Sequence, residues 1–366
     1  MRGKFAETLR QRPGTVVHIA GRRAGAPAPQ ATQPNVFQHS LFAGSRLSPG
    51  RLLAQWRFWC LLRRLGPDVV IVHAPELLPL TLLWRGLAPG RRFIYDVREN
   101  YALNVSTQHV YGRAVRQALA AGLRFVESWA ARRAAGVVVA EISYLDELPF
   151  LTEAAGPVLV LENKYQPQPG ERLPTRGRQL PTPAEPLRLL YSGTISDLNG
   201  VWEAVALAES LQAARPGEAH LTIVGFCQQP ALLRALQRKV AAHPHWLRLV
   251  GGPEPVPHAR IVAEIQRSHL GLLPYRPHPS TERCRPTKLF EYLAHGLPML
   301  VSPNPLWLAQ VERYAAGRAF DFAAPPPASE LLASLQGRAF YPAGVPTDVL
   351  WAEEGKKLWP LLDSSV

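Results

Sequence analysis

The chain has 366 residues, 47% of them hydrophobic and 19% charged, which is enough for two domains with real cores and excludes a disordered protein. A net charge of +13 and a pI near 10.1 ask for an anionic partner: nucleic acid, acidic lipid or a phosphorylated substrate. Three distant cysteines (Cys60, Cys227, Cys284) exclude a disulfide framework or a Cys-rich zinc site and make a reducing cytoplasm the expected compartment.

The chain opens on a helical pattern, with Met1, Phe5 and Leu9 four residues apart on one face. The segment MRGKFAETLRQRPG has no apolar run of the kind a secretory signal needs. Strand-like runs follow at 15–21, 35–42, 68–74, 92–97, 136–141 and 158–163, with helical patterns between most of them. A polar, Pro-rich stretch at 165–186 reads as a linker. Six more strand-like runs come at 187–193, 220–225, 246–251, 270–275, 298–303 and 318–322. This alternation predicts two α/β domains with parallel sheets, 1–164 and 187–366, the second ending in a closing helix. Doubly wound domains begin on a central strand rather than a helix. A strand and a glycine-bearing loop are therefore expected upstream, lost to a misplaced start or a truncation; the alternative is a variant with a leading helix.

The positive charge is uneven. Residues 1–164 hold 21 lysines and arginines against 11 acidic residues, and the remainder holds 20 against 17. Two helical segments in the first half, 52–66 and 113–136, interleave apolar and basic residues. They suit either an anionic leaflet or helices packed on a sheet with arginines reaching outward. The longest apolar stretch, VVIVHAPELLPLTLLW, is broken by His73, Glu76 and two prolines and is too interrupted to span a membrane.

The chemistry concentrates in RCRPTKLFEYLAHGLPMLVSPNP, from Arg283 to Pro305. It follows a strand end, where ligands of open α/β sheets bind. Pro286 suits a first helical turn and Thr287 its cap. The free N–H groups and the helix dipole there favour a diphosphate, and Lys288 adds a cation. Glu291, one turn on, is suited to accepting hydrogen bonds from sugar hydroxyls. The competing reading is an ordinary capped helix with a Lys–Glu pair.

YSGTISDLNGV, LTIVGF, LRLVGG and PTKLFEYLAHGLPMLVS together resemble the donor-binding domain of GT-B glycosyltransferases of the bacterial, retaining GT4-like family, across nearly all of 187–362. The resemblance implies two Rossmann-like domains facing across a cleft. It implies Glu291 on the ribose of a nucleotide-sugar and the amides of Thr287 and Lys288 near the diphosphate. Gly193, Gly225 and Leu289 complete the implied donor-binding set. Arg283 stands where the family often has a second glutamate, and Thr194 and Asn199 stand where it has Arg and Lys. Arg283, Arg285 or Lys288 would then supply the missing positive charge. IYDVRENYALN resembles the family's Asp-x-His-Glu segment, with Arg98 in the histidine place. Asp96, Arg98, Glu99 and Asn100 would face the acceptor, with Arg98, Glu99 and Lys288 as the catalytic set. The competing reading is that Asp96 and Glu99 cap the next segment while Arg98 pairs with one of them.

The expected partners are a UDP- or GDP-linked sugar, a glycan or lipid-linked acceptor and an anionic membrane surface. The setting would be the cytoplasm, at the inner face of the plasma membrane, in cell-envelope or exopolysaccharide synthesis. No cofactor is expected. No Asp-x-Asp is present to hold a metal, so metal-independent transfer is expected. Rival readings are another GT-B enzyme such as a nucleotide-sugar epimerase, or a non-catalytic relative that binds nucleotide or glycan. Nucleic acid fits poorly, because the aromatics do not interleave with a basic stripe.

Overall fold

The computed structural model describes residues 2–22, 35–42, 50–107, 112–182 and 185–363. The chain divides into two compact units. One runs to Gln166 and is completed by the segment from Trp351 onward; the other is Pro167–Leu350.

The first unit contains, in order, α1 (Arg2–Arg10), β1 (Val17–Arg22), β2 (Val36–Phe42), α2 (Gly50–Leu65), β3 (Val69–Val72), α3 (Leu78–Gly86), β4 (Arg92–Val97), α4 (Tyr101–Thr107), α5 (Arg113–Ala131), β5 (Gly136–Val139) and β6 (Val158–Val160). Of the residues expected on one face of α1, Phe5 is buried and Leu9 half-buried; Met1 lies outside the described residues. All six expected strands form, but in two parallel sheets rather than one, β1-β2 and β3-β4-β5-β6. Among the described residues β1 pairs only with β2, and β3 only with β4, so each keeps one unpaired edge. β4 and β5 are buried on both faces, which is why both read as near-continuous apolar runs.

Two boundaries are corrected. The closing helix, assigned above to 187–366, belongs to the first unit, where Trp351, Leu358, Leu361 and Leu362 share a core with Phe5, Ile94, Val138 and Leu161. The physical reason is the Trp351 indole. Once buried, its N–H needs acceptors, and α1 provides them: Lys4 O at 2.9 Å and Thr8 Oγ1 at 3.0 Å. The stretch 165–186 is not a free tether either. Tyr165 is buried and its carbonyl accepts from the Trp351 amide, while Arg178 N donates to Gly296 O at 2.8 Å and Val345 N to Thr175 O at 3.1 Å.

The second unit is one parallel sheet of β7 (Leu187–Thr194), β8 (Ala219–Phe226), β9 (Leu247–Gly252), β10 (Leu270–Leu273), β11 (Met299–Val301) and β12 (Gly317–Ala319), ordered β12-β11-β10-β7-β8-β9. The chain winds outward from β7 to β9, then returns to β10 on the other side of β7. β7 and β10 therefore flank the topological switch point, where their carboxyl-end loops leave a ligand crevice. Gly193, Gly225 and Gly251 lie in register at the carboxyl ends of β7, β8 and β9. All three have positive φ, and a Cβ at Gly225 would stand 1.7 Å from Gly193 O, one at Gly251 2.5 Å from Gly225 O. The row must be glycine, and it leaves bare backbone along that rim.

Trp351→Ala is expected to cost about 3–5 kcal/mol in the first unit. Differential scanning calorimetry should show that unit's transition moving down while the second unit's stays in place.

Candidate functional site

In the second unit, the switch point brings two stretches together that lie almost a hundred residues apart. Lys288 sits in the first turn of the helix Thr287–Ala294, and its Cε and Nζ lie 3.5 and 3.6 Å from where a Gly193 Cβ would stand. The ammonium is buried over the rings of Tyr191 and Tyr275, at 4.8 and 4.9 Å from their centroids. It has no hydrogen-bond partner among the described residues. Burial pulls its pKa from 10.5 down to about 8, and the Glu291 carboxylate only partly restores it. The site thus holds a cation beside bare backbone and two phenol faces, with no carboxylate hydrogen-bonded to it among the described residues.

Glu291 is also buried, and its Oε1 lies 2.6 Å from Nε2 of His258, at the start of the helix His258–Arg267 that follows β9. One turn further, His295 Nε2 lies 3.1 Å from Glu171 Oε1; burial lowers the His295 pKa against the pull of both carboxylates. Pro286, not Thr287, is the N-cap residue; Thr287 is the first helical residue, exposed, and no side chain caps this end. Its expected capping role is thereby corrected, because the Pro286 ring already fixes an extended approach into the helix. Leu289 is fully buried, so a ligand could meet only its backbone, and its N–H already donates to Pro286 O at 2.9 Å.

The flanking loops are fastened. Asn304 caps the helix Pro305–Arg313 through Leu306 N and Trp307 N, and its Nδ2 donates to Glu282 O at 2.7 Å. Trp307 Nε1 donates to Cys284 O at 2.7 Å, which holds the segment carrying exposed Arg283 and half-buried Arg285. Asn199 Nδ2 donates to Thr194 O at 3.0 Å, tying the loop after β7 to itself. Gly225 enters only through the glycine row.

In the first unit, the ends of β3 and β4 meet. Asp96 is fully buried and accepts from His73 Nδ1 and Arg98 Nε. The His73 ring stands edge-on to Phe5 at 5.2 Å, its carbonyl accepts from the Tyr101 hydroxyl at 3.0 Å, and its side chain stays 45% exposed. Arg98 lies over Phe5 at 4.7 Å, and both of its terminal nitrogens are buried without a partner among the described residues. Asn100 is committed to structure: its Oδ1 accepts from Leu103 N and Arg124 Nη2, and its Nδ2 donates to Glu147. Glu99 is exposed and accepts from Asn104 at 2.9 Å. Behind them, buried Glu127 accepts from Tyr95 and Arg124, and burial raises its pKa.

The sequence reasoning left His73 outside the site set and missed His258, Tyr191 and Tyr275. His73 could have been found from its place at a strand end. His258 and the two tyrosines carry no local signal, since only the sheet order brings them to Lys288 and Glu291. Among the described residues no group of three or more His, Cys, Asp or Glu could hold a metal ion.

The buried cation gives a sign that can be tested without a ligand. Between about pH 8 and an unfolded value near 10.5, the unfolded chain keeps a proton that folded Lys288 has lost, so stability rises with pH there. Below about 8 the full cost is present, of order 1–3 kcal/mol. Lys288→Met is therefore expected to raise the ligand-free melting temperature at pH 7 by a few degrees, with the gain fading as pH approaches 10.5. An unchanged or lower melting temperature at pH 7 would show that the tyrosine faces offset the desolvation.

Residues 3–164 match the family model described as Glycosyl transferase 4-like domain. Over nearly its full length the chain is similar to solved structures. One is sucrose-phosphate synthase from Thermosynechococcus elongatus, with TM-score 0.61, 15% identity, and coverage of 99% of this chain and 88% of that one. Another is WaaG, a glycosyltransferase involved in lipopolysaccharide biosynthesis, at TM-score 0.60 and 15% identity, covering 97% and 89%. A trehalose-6-phosphate structure from E. coli bound with UDP-2-fluoro glucose matches at TM-score 0.58 and 11% identity, covering 99% and 91%. No curated protein matches. The chain has the GT-B fold of two Rossmann-like domains, and residues 3–164 of it match the model of a glycosyl transferase 4-like domain.

Proposed function

We propose that the protein transfers a sugar from a UDP- or GDP-linked donor to a hydroxyl of a glycan, free or lipid-linked, with retention at the anomeric carbon. The observation that carries this reading is Lys288: a buried ammonium without a hydrogen-bond partner among the described residues, against the bare backbone of Gly193 and one turn from Glu291. A diphosphate supplies the missing charge, and its neutralisation there is strong because the surroundings exclude water. The positive end of the helix Thr287–Ala294 adds to it. Glu291, held by His258, accepts hydrogen bonds from ribose hydroxyls. The bond from the anomeric carbon to the phosphate oxygen breaks, and the acceptor oxygen bonds to the same carbon from the same face. The acceptor proton passes to the departing phosphate, whose developing charge Lys288 stabilises, so no protein nucleophile is needed. Arg98 is the cation of the acceptor side, with two uncommitted buried nitrogens, and exposed Glu99 flanks it. We propose that transfer is metal-independent and takes place in the cytoplasm, in assembly of a cell-envelope or extracellular polysaccharide.

A second reading, binding of nucleotide or glycan without transfer, is favoured by one observation. Asn199, in the place of a family cation, spends its amide on Thr194 O.

A thermal-shift panel of UDP, GDP, ADP, CMP and their common sugars tests the donor site. One nucleotide family should raise the melting temperature of the wild type, and Glu291→Ala should weaken that binding by about tenfold, the worth of one hydrogen bond to a charged group. No shift with any nucleotide would remove the reading. Release of the nucleoside diphosphate in the presence of acceptor and EDTA should match release without EDTA. A shift without any release would select the binding-only reading, and release that needs added magnesium or manganese would overturn metal independence.

A further inference from the structure

The large apolar side chains that stand exposed among the described residues all fall between Val16 and Leu145, in the first unit; the second unit has none. Most lie on three helices, of which α3 touches both α2 and α5. On α2, Leu53 and Trp56 point outward, and Trp56 is 65% exposed. On α3 and just after it, Leu83 and Leu87 are exposed. On α5, Val115 and Leu119 lie four residues apart, as do Phe125 and Trp129, and all four are exposed, Phe125 at 71%. Burial explains none of these; a soluble surface would place polar side chains there.

The charge on the same helices has one sign. α2 and α3 contain no acidic residue, and the single one in α5, Glu127, is fully buried beneath Tyr95 and Arg124. The exposed charges are Arg57, Arg63 and Arg64 on α2, Arg85 on α3 and Arg113 on α5. Three helices that expose Trp, Phe and Leu among arginines, and no carboxylate of their own, match the acyl–headgroup boundary of a bilayer that carries negative lipids. It does not suit a second copy of the chain, which would set arginine against arginine. Nor does it suit nucleic acid, which offers nothing to isolated leucines. No helix among the described residues is long and apolar enough to cross a membrane, so the contact is parallel to the surface.

We propose that the outer face of α2, α3 and α5 docks on an anionic lipid bilayer, with Trp56 and Phe125 entering the interface and Arg63, Arg64, Arg85 and Arg113 meeting the headgroups. This stands on the surface alone and does not depend on the transfer reaction. The test is vesicle flotation of the full chain, with phosphatidylcholine alone and with phosphatidylglycerol added. Binding should need phosphatidylglycerol and fall when salt is raised to about 1 M, where the Debye length is about 3 Å. The double variant Trp56→Ser, Phe125→Ser keeps the net charge of +13, and both residues are exposed, so its melting temperature should match the wild type. It should bind at least about tenfold more weakly. Equal binding by the variant would reduce the contact to adsorption of a basic protein, and absence of binding to phosphatidylglycerol vesicles would overturn it outright. A wild-type dimer in light scattering that the double variant turns into a monomer would assign the face to a second copy instead.

Discussion

Lys288 has been taken out of water and set over two tyrosine faces without a carboxylate against it. A buried ammonium is tolerated only where the fold gains elsewhere or where a ligand supplies the counter-charge. The surroundings of Lys288 are arranged around that demand. The glycine row at the ends of β7, β8 and β9 removes the side chains that would fill the space, and the helix Thr287–Ala294 leaves its first turn without a side-chain cap. Asn304 and Trp307 fasten the neighbouring loop, so the backbone around Lys288 is held from both sides of the helix start.

The first unit handles charge in the opposite way. Asp96, fully buried, is shared by His73 and Arg98, and a second layer of Tyr95, Glu127, Arg124 and Asn100 is bonded behind it. Here both buried carboxylates, Asp96 and Glu127, have an arginine against them, and the uncommitted buried atoms are Asp96 Oδ1 and the outer guanidinium nitrogens of Arg98. The Arg98 guanidinium is planar, and Phe5 holds it by its face. His73 comes to the same carboxylate from the neighbouring strand end, so an imidazole is present at this cluster even though the expected position lacks one.

The C-terminal segment explains why the units cannot be cut at the Pro-rich stretch. Trp351 carries one of the largest fully buried side chains, and its indole N–H is satisfied only by α1. The last helices therefore belong to the first unit's core, although they follow the second unit in the chain. The prolines of 165–186 suggested a tether because Pro reads as a breaker, but an extended backbone that bonds to Gly296 and Val345 is also well served by proline.

The twelve strands and the two main helices of the first half were legible from the sequence, because strands buried on both faces demand unbroken runs such as GVVV and LGLL, and amphipathic helices demand their own period. Lys288 and Glu291 were legible for the same reason, since their helix follows a strand end in a recurring pattern. Three things could be decided only by the tertiary structure. The division of the first six strands into two sheets depends on which edges pair, and β1 and β3 look alike in sequence to strands that pair on both sides. The place of Trp351 depends on an acceptor more than three hundred residues away in the chain. The partners of the two buried carboxylates, His258 for Glu291 and His73 for Asp96, depend on sheet order. Local pattern determines what each segment becomes; hydrogen-bond satisfaction and burial across distant segments determine what it meets.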